Sequence, residues 1–185
     1  MRNLVLLLWL GCLASCQLKP EQGLVYHVAD GSYQLRTVWP GKPQQLLQQV
    51  RFSSANSNQE FLLSVQLLPE QLLLVALSPV GHELWRVQLT ADGQLLHQGI
   101  VPFSDRAFAL RLLAEMQWSL WPIGQIIPGL DGIQLVEQPG SRQVLLKNKP
   151  LLHITGAGVL AVGEMTVLQQ ADYQLTLTTL EQEFL

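Results

Sequence analysis

The sequence predicts a mainly β (α+β) fold, a curved antiparallel sheet with a helix packed on its concave face. Three observations carry that expectation. Apolar and polar residues alternate with period two through many short runs, as in strands with one buried face. Turn-forming residues separate the runs. One segment, 104–120, repeats its apolar residues at helical spacing, and no fixed-period repeat marks a solenoid or propeller.

In chain order, Tyr33, Leu35, Thr37 and Trp39 alternate with Gln34, Arg36 and Val38, predicting a strand that Pro40, Gly41, Lys42 and Pro43 break. Residues 44–54 open with a pattern compatible with a helical turn and close on Val50, Arg51, Phe52 and Ser53 as a strand. Phe61, Leu63, Val65 and Leu67 alternate with Leu62, Ser64 and Gln66. The run 72–77 is apolar on both faces, and Pro69, Glu70 and Gln71 supply the hairpin between the two. Trp85, Val87 and Leu89 alternate with Arg86, Gln88 and Thr90 before the Asp92-Gly93 turn, which tolerates left-handed backbone. The helix starts from Ser104 as N-cap, carries Ala109, Leu112, Leu113, Met116 and Leu120 on one stripe, and stops at Trp121-Pro122. Arg106, Arg111, Glu115 and Gln117 fall off that stripe, so the helix is expected to lie on a sheet with these residues outward. Short strands return at 143–147, 151–155, 164–170 and 173–179, with turns at Pro139-Gly140 and from Asn148 to Pro150.

The N-terminus has a separate character. Met1, Arg2 and Asn3 precede the apolar run from Leu4 to Leu10, the layout of a secretion signal. Even extended through Ala14 the run is shorter than the ~20 residues that span a bilayer. Leu13, Ala14, Ser15 and Cys16 then resemble the bacterial lipobox, in which the cysteine is lipidated before the leader is cut. This divides the chain into a leader over 1–15, a lipidated tether over 16–22 and one β-rich domain over 23–185. The alternative is an ordinary secretory signal that leaves Cys16 a thiol; Cys12 would leave with the leader, so Cys16 would have no intramolecular partner. In the lipoprotein reading Cys16 carries N-acyl and S-diacylglyceryl chains, the multiple chains that stable anchoring requires. Resemblance to Gram-negative lipoproteins also implies a destination. Gln17 stands where an Asp would retain the protein at the inner membrane, so the expected location is the periplasmic face of the outer membrane.

The chain has 11 Lys plus Arg against 14 Asp plus Glu, and so mild an acidity gives no reason to expect nucleic acid as a partner. Only 14% of residues are charged, so uncharged amide, much of it Gln, supplies polar surface. No nucleophile elbow, zincin helix or phosphate loop is present, and no catalytic residues, metal or cofactor are assigned. His27, His82, His97 and His153 are scattered, and an enzyme is not expected. Gly156, Ala157, Gly158 and Gly163 lack dinucleotide-loop spacing and are followed by strand-like sequence, predicting a hairpin turn.

The order of elements behind a lipobox resembles LolB, the outer-membrane lipoprotein receptor, and the wider LolA/LolB-like half-barrel superfamily. The sharpest point of contact is Ser78, Pro79, Val80 and Gly81, similar to the turn whose apolar tip projects towards the membrane in LolB. The whole chain is similar to an uncharacterised family of Gram-negative lipoproteins encoded with aryl polyene and fatty-acid-like biosynthetic clusters. These resemblances imply that Pro79, Val80 and Gly81 form a membrane-facing turn. They also imply that the partners are outer-membrane lipid, a hydrophobic ligand or lipidated cargo, and a LolA-like carrier or an exporter.

A half-open sheet under a helix leaves room for an apolar groove. The candidate lining residues are Phe61, Leu63, Val65, Leu74, Trp85, Val87, Leu112, Leu113 and Met116, each of which also fits an ordinary packed core. Trp118 and Trp121 fit either a membrane interface or the core. The expected function is binding or transfer of a hydrophobic ligand in the envelope, and the alternative is a scaffold lipoprotein with a fully packed interior.

Overall fold

A computed structural model describes residues 24–185. The leader, Cys16, Gln17 and the tether lie outside the described residues. The domain opens with β1 (Val25–Val28) and β2 (Gly31–Gln34), followed by the meander β3 (Gln44–Ser54), β4 (Ser57–Leu67), β5 (Gln71–Leu77), β6 (Glu83–Thr90) and β7 (Leu95–Gly99). Helix α1 (Arg106–Leu120), the short α2 (Ile123–Ile126) and a 3-10 turn over Ile127–Gly129 come next. The chain ends with β8 (Leu130–Asp131), β9 (Ile133–Gln138), β10 (Ser141–Leu146), β11 (Lys149–Thr155), β12 (Met165–Gln169) and β13 (Tyr173–Phe184).

Among the described residues two antiparallel sheets form. Ten strands pair in the order β7-β6-β5-β4-β3-β13-β12-β11-β10-β9, and β1-β2-β8 make a second, smaller sheet. The large sheet is open, because β7 and β9 remain its edges. It is a curved half-barrel with α1 on the concave side. Its two meanders are joined in the middle, where β13 pairs with β3 from Tyr173↔Ser54 to Phe184↔Gln44.

Period-two burial sets the faces. Leu46 and Val50, Leu63 and Val65, Leu72 and Leu74, Trp85 and Val87, Val144, Leu152 and Ile154, and Leu168 all point into the concave side and are buried. The convex face explains much of the Gln usage: Gln66 donates to Gln45 at 3.5 Å, Gln88 to Gln71 at 2.8 Å, and Gln49 to Glu60 at 2.6 Å. These are cross-strand amide contacts, which cover a sheet with polar surface while adding little charge.

Several local expectations change. The helix N-cap is Asp105, whose carboxylate accepts from the Phe108 amide at 2.5 Å, and not Ser104. The extended backbone at Trp121, imposed by the following Pro122, ends the helix. Residues 35–39 do not continue β2, although Leu35 and Trp39 are buried. The Gln117 side chain takes both main-chain groups of Arg36, accepting from its N–H at 2.8 Å and donating to its C=O at 2.7 Å, in place of a neighbouring strand. Residues 44–48, compatible with a helical turn, are strand throughout, and Pro150 lies inside β11 opposite Leu145 at a bulge instead of in the turn. Gly156–Gly163 forms the connection of an antiparallel pair, with the Gly158 amide donating to the Ser119 carbonyl of α1 at 2.8 Å.

Helix α1 is buried on more than the one expected flank. The small sheet covers a second side, where Trp118 packs against the rings of Tyr26 (5.8 Å) and Tyr33 (5.6 Å). Gln117, off the apolar stripe, is buried on this side against Tyr33 and Arg36, and Glu115, also off the stripe, is buried against Tyr173 and Gln170. The C-terminus of the helix is held by Arg142 of β10, itself buried. Its Nη1 donates to the carbonyls of Trp118 (2.8 Å), Ser119 (3.3 Å) and Trp121 (2.8 Å), and its Nη2 lies 2.6 Å from Glu137. A guanidinium here serves the carbonyls a helix end leaves unpaired and opposes the negative end of its dipole.

Candidate ligand groove

Between α1 and the concave face the side chains do not close completely. A narrow cavity of about 60 Å³ runs beneath the middle of the helix, with Leu46, Leu63, Val65 and Leu74 on the sheet side and Leu112, Met116 and Leu120 on the helix side. Leu175 and Leu177 of β13 line it as well. A wider cavity of about 420 Å³ adjoins it at the N-terminal end of the helix, where Phe52, Phe61, Trp85, Phe103, Phe108 and Tyr173 form an aromatic wall. Leu112, Glu115 and Leu175 line both spaces, so the two adjoin as the broad mouth and narrow inner end of a groove beneath α1.

The strand order builds this shape. Phe52 and Phe61 sit near the β3–β4 hairpin, Trp85 near the start of β6 and Tyr173 at the start of β13, and antiparallel pairing brings these four to the same end of the sheet. The rings contact edge to face: Phe61 lies 6.3 Å from Trp85, and Trp85 5.4 Å from Phe108.

One polar constellation interrupts the apolar wall. Glu115 is buried, accepts from the Tyr173 hydroxyl at 2.5 Å and from Gln170 Nε2 at 3.1 Å, and lies 3.9 Å from Arg111 Nε. Burial pushes the Glu115 carboxyl above its ordinary value, while the Tyr173 hydrogen bond, the Arg111 charge and Gln170 hold it partly back. The Tyr173 hydroxyl is pushed up first by burial and then by the neighbouring carboxylate. Arg111 lies with its guanidinium 6.0 Å from the centre of the Phe108 ring and 5.6 Å from that of Tyr173.

Of the residues singled out from sequence, Leu63, Val65, Leu74, Leu112 and Met116 line the narrow space, and Phe61, Trp85 and Leu112 the mouth. Val87 and Leu113 line neither. Both are packed in the core, since Val87 lies further along β6 from the mouth and Leu113 is turned away from the gap. Trp118 and Trp121 are also core residues, and Trp121 Nε1 donates to the Val38 carbonyl at 3.3 Å. The lining from β13 and the polar group at Glu115 and Arg111 carried no sequence signal beyond the alternation of Tyr173, Leu175 and Leu177 with Gln174 and Thr176.

Ser78–Gly81 is a tight turn between β5 and β6: the Gly81 amide donates to the Ser78 carbonyl at 2.8 Å, and Gly81 adopts φ +86°, which glycine accepts without strain. Val80 at its tip is 78% exposed. The turn lies at the mouth end of the sheet. Just after β7, the Ile100 amide donates to the Leu84 carbonyl of β6, and Ile100 and Val101 are 54% and 84% exposed. Three exposed apolar side chains thus share the rim region with the mouth.

His27, His82 and His153 are exposed and His97 half-buried, on four separate segments. Among the described residues no group of three or more His, Cys, Asp or Glu side chains is arranged to hold a metal ion. No described helix is long and apolar enough to cross a membrane. No curated protein matches this sequence. A family model described as a protein of unknown function (DUF3261) matches residues 45–181, from the start of β3 almost to the end of β13, and the chain belongs to that family.

Proposed function

We propose that this protein is a LolB-like lipoprotein, anchored through lipid on Cys16 to the periplasmic face of the outer membrane, that binds a hydrophobic ligand and passes it between envelope components without covalent chemistry. The observation that carries the reading is the groove beneath α1, whose narrow end is almost wholly apolar and whose largely aromatic mouth shares one end of the sheet with exposed Val80, Ile100 and Val101. An apolar space left open in a domain that otherwise packs well stabilises nothing by itself, because unfilled surface forgoes contacts that packing would supply. A ligand supplies them. The exposed apolar tip beside the mouth suits transient insertion among lipid chains, which would let a ligand leave the groove without crossing water.

Purification of the lipidated protein from its native host, followed by organic extraction, tests this reading. A recurrent bound lipid or other apolar compound, displaceable by a hydrophobic fluorescent dye, is the expected outcome. Repeatedly empty protein that also takes up no dye would leave the scaffold reading in its place.

A further inference from the structure

The two charged side chains that line the groove are Arg111 and Glu115, and they are not equally engaged. The Glu115 carboxylate already accepts from Tyr173 and Gln170. Arg111, one turn earlier on α1, is 45% exposed and donates no hydrogen bond among the described residues; it has an ion pair at 3.9 Å and two aromatic faces. A guanidinium carries five donors in a planar fork shaped for a carboxylate. Here the fork sits over the Phe108 and Tyr173 rings at the wall of an aromatic-lined mouth, with its donors unfilled by protein among the described residues.

Resting on the groove reading above, we propose that Arg111 is the head-group site of that groove and that the ligand is a slender apolar chain ending in a single carboxylate. The charge count favours one negative charge. Arg111 is the sole cation among the described lining residues, so a doubly charged phosphate monoester would leave more uncompensated charge in this site than a single carboxylate does. Size sets the direction. The narrow end, about 60 Å³, is far below the ~150 Å³ that accommodates a benzene ring, so it takes the end of a chain and not a ring. The mouth, at about 420 Å³, takes the remainder of the chain against its aromatic wall and leaves the head beside Arg111. Tyr173, fixed by its bond to Glu115, keeps Arg111 in place through its ring face and acts as a positioning residue.

Fluorescence titration of the purified full chain with cis-parinaric acid and with its methyl ester separates the possibilities, since both share one chain and differ only in the charge of the head. The acid is expected to bind about tenfold more tightly than the ester. Arg111→Gln should remove that preference by weakening the acid far more than the ester, while Arg111→Lys should restore part of it. Circular dichroism shows that each variant is folded. Equal binding of acid and ester to the unmodified protein, or equal weakening of both by Arg111→Gln, would overturn the head-group assignment and leave the groove reading standing. Binding of neither probe by folded protein would overturn both.

Discussion

Replacing Arg142 by Met tests whether the helix that roofs the groove is fixed from its C-terminal end. Met keeps an apolar stem of similar reach, so the loss reports the guanidinium and not a cavity. That group serves three carbonyls, at 2.8, 3.3 and 2.8 Å, and one carboxylate. The Glu137 side chain is 42% exposed, so its share of the ion pair is screened and contributes about 1 kcal/mol or less. The carbonyl bonds are buried and charge-assisted, worth about 1.5–3 kcal/mol each before relaxation, and water reaching the opened helix end recovers part of them. The expected net destabilisation is about 3–5 kcal/mol, the range for removing one partner of a buried charged network. For a domain of this size that lowers Tm by roughly 6–20 °C. Urea and thermal unfolding measure it, with Arg142→Lys falling between, because a point charge on a flexible stem cannot serve all three acceptors. A loss below about 1 kcal/mol for Arg142→Met, or no difference between Lys and Arg, would show that the helix end is satisfied without the guanidinium fork.

Three further outcomes follow from the same geometry. Burial raises the folded-state pKa of Glu115, so its contribution to stability is full below the unfolded carboxyl value and is lost as pH rises through the folded one. Glu115→Gln should therefore become progressively more stable relative to the unmodified protein as pH is raised from about 4, by no more than about 1.4 kcal/mol per pH unit, and parallel stability profiles would contradict this. Leu112→Trp, placed where the mouth meets the narrow end, should cut binding of a hydrophobic dye at least about tenfold while the domain stays folded by circular dichroism; undiminished binding would move the ligand elsewhere. Val80→Glu should leave stability within about 0.5 kcal/mol and dye binding intact while slowing release of bound dye into lipid vesicles, and equal loss of binding and release would refute a separate role for the turn.

The sequence exposed those parts of the fold whose cause is local. Alternation in β4, β6, β10 and β13, the Asp92-Gly93 turn and the Trp121-Pro122 stop depend on neighbours a few residues away, and each is legible from spacing alone. Residues 35–39 show the limit. They alternate like a strand and two of them are buried like one, but their backbone partner is a side chain on α1 that is 81 positions away in the chain. Glu115 and Gln117 fail for the same reason, since polar residues on a helix flank read as solvated unless Tyr173 and Arg36 are known to meet them. Strands β1 and β8, four and two residues long, carry too few residues to establish a period, and pairing with β2 defines them. The groove residues of β13 were legible as one face of a strand. Their place beneath α1 follows from pairing with β3, more than a hundred residues earlier.

The two ends of the sheet constrain how a lipid anchor could work. Leu24, where the described chain begins, packs beside the Gly93 turn between β6 and β7, its side chain 3.7 Å from where a Cβ on Gly93 would lie. Strand β6 runs from there to the Val80 turn, and its eight residues span about 27 Å. Mouth and anchor-proximal end are therefore opposite. From Cys16 to Leu24 the chain reaches at most about 29 Å even if fully extended. Under the proposed anchoring, Val80 reaches the leaflet that holds Cys16 with the domain upright only if the tether is drawn nearly straight along its side. With that anchoring, a tether of this length limits how far the mouth can reach towards the anchoring leaflet without a rotation of the domain.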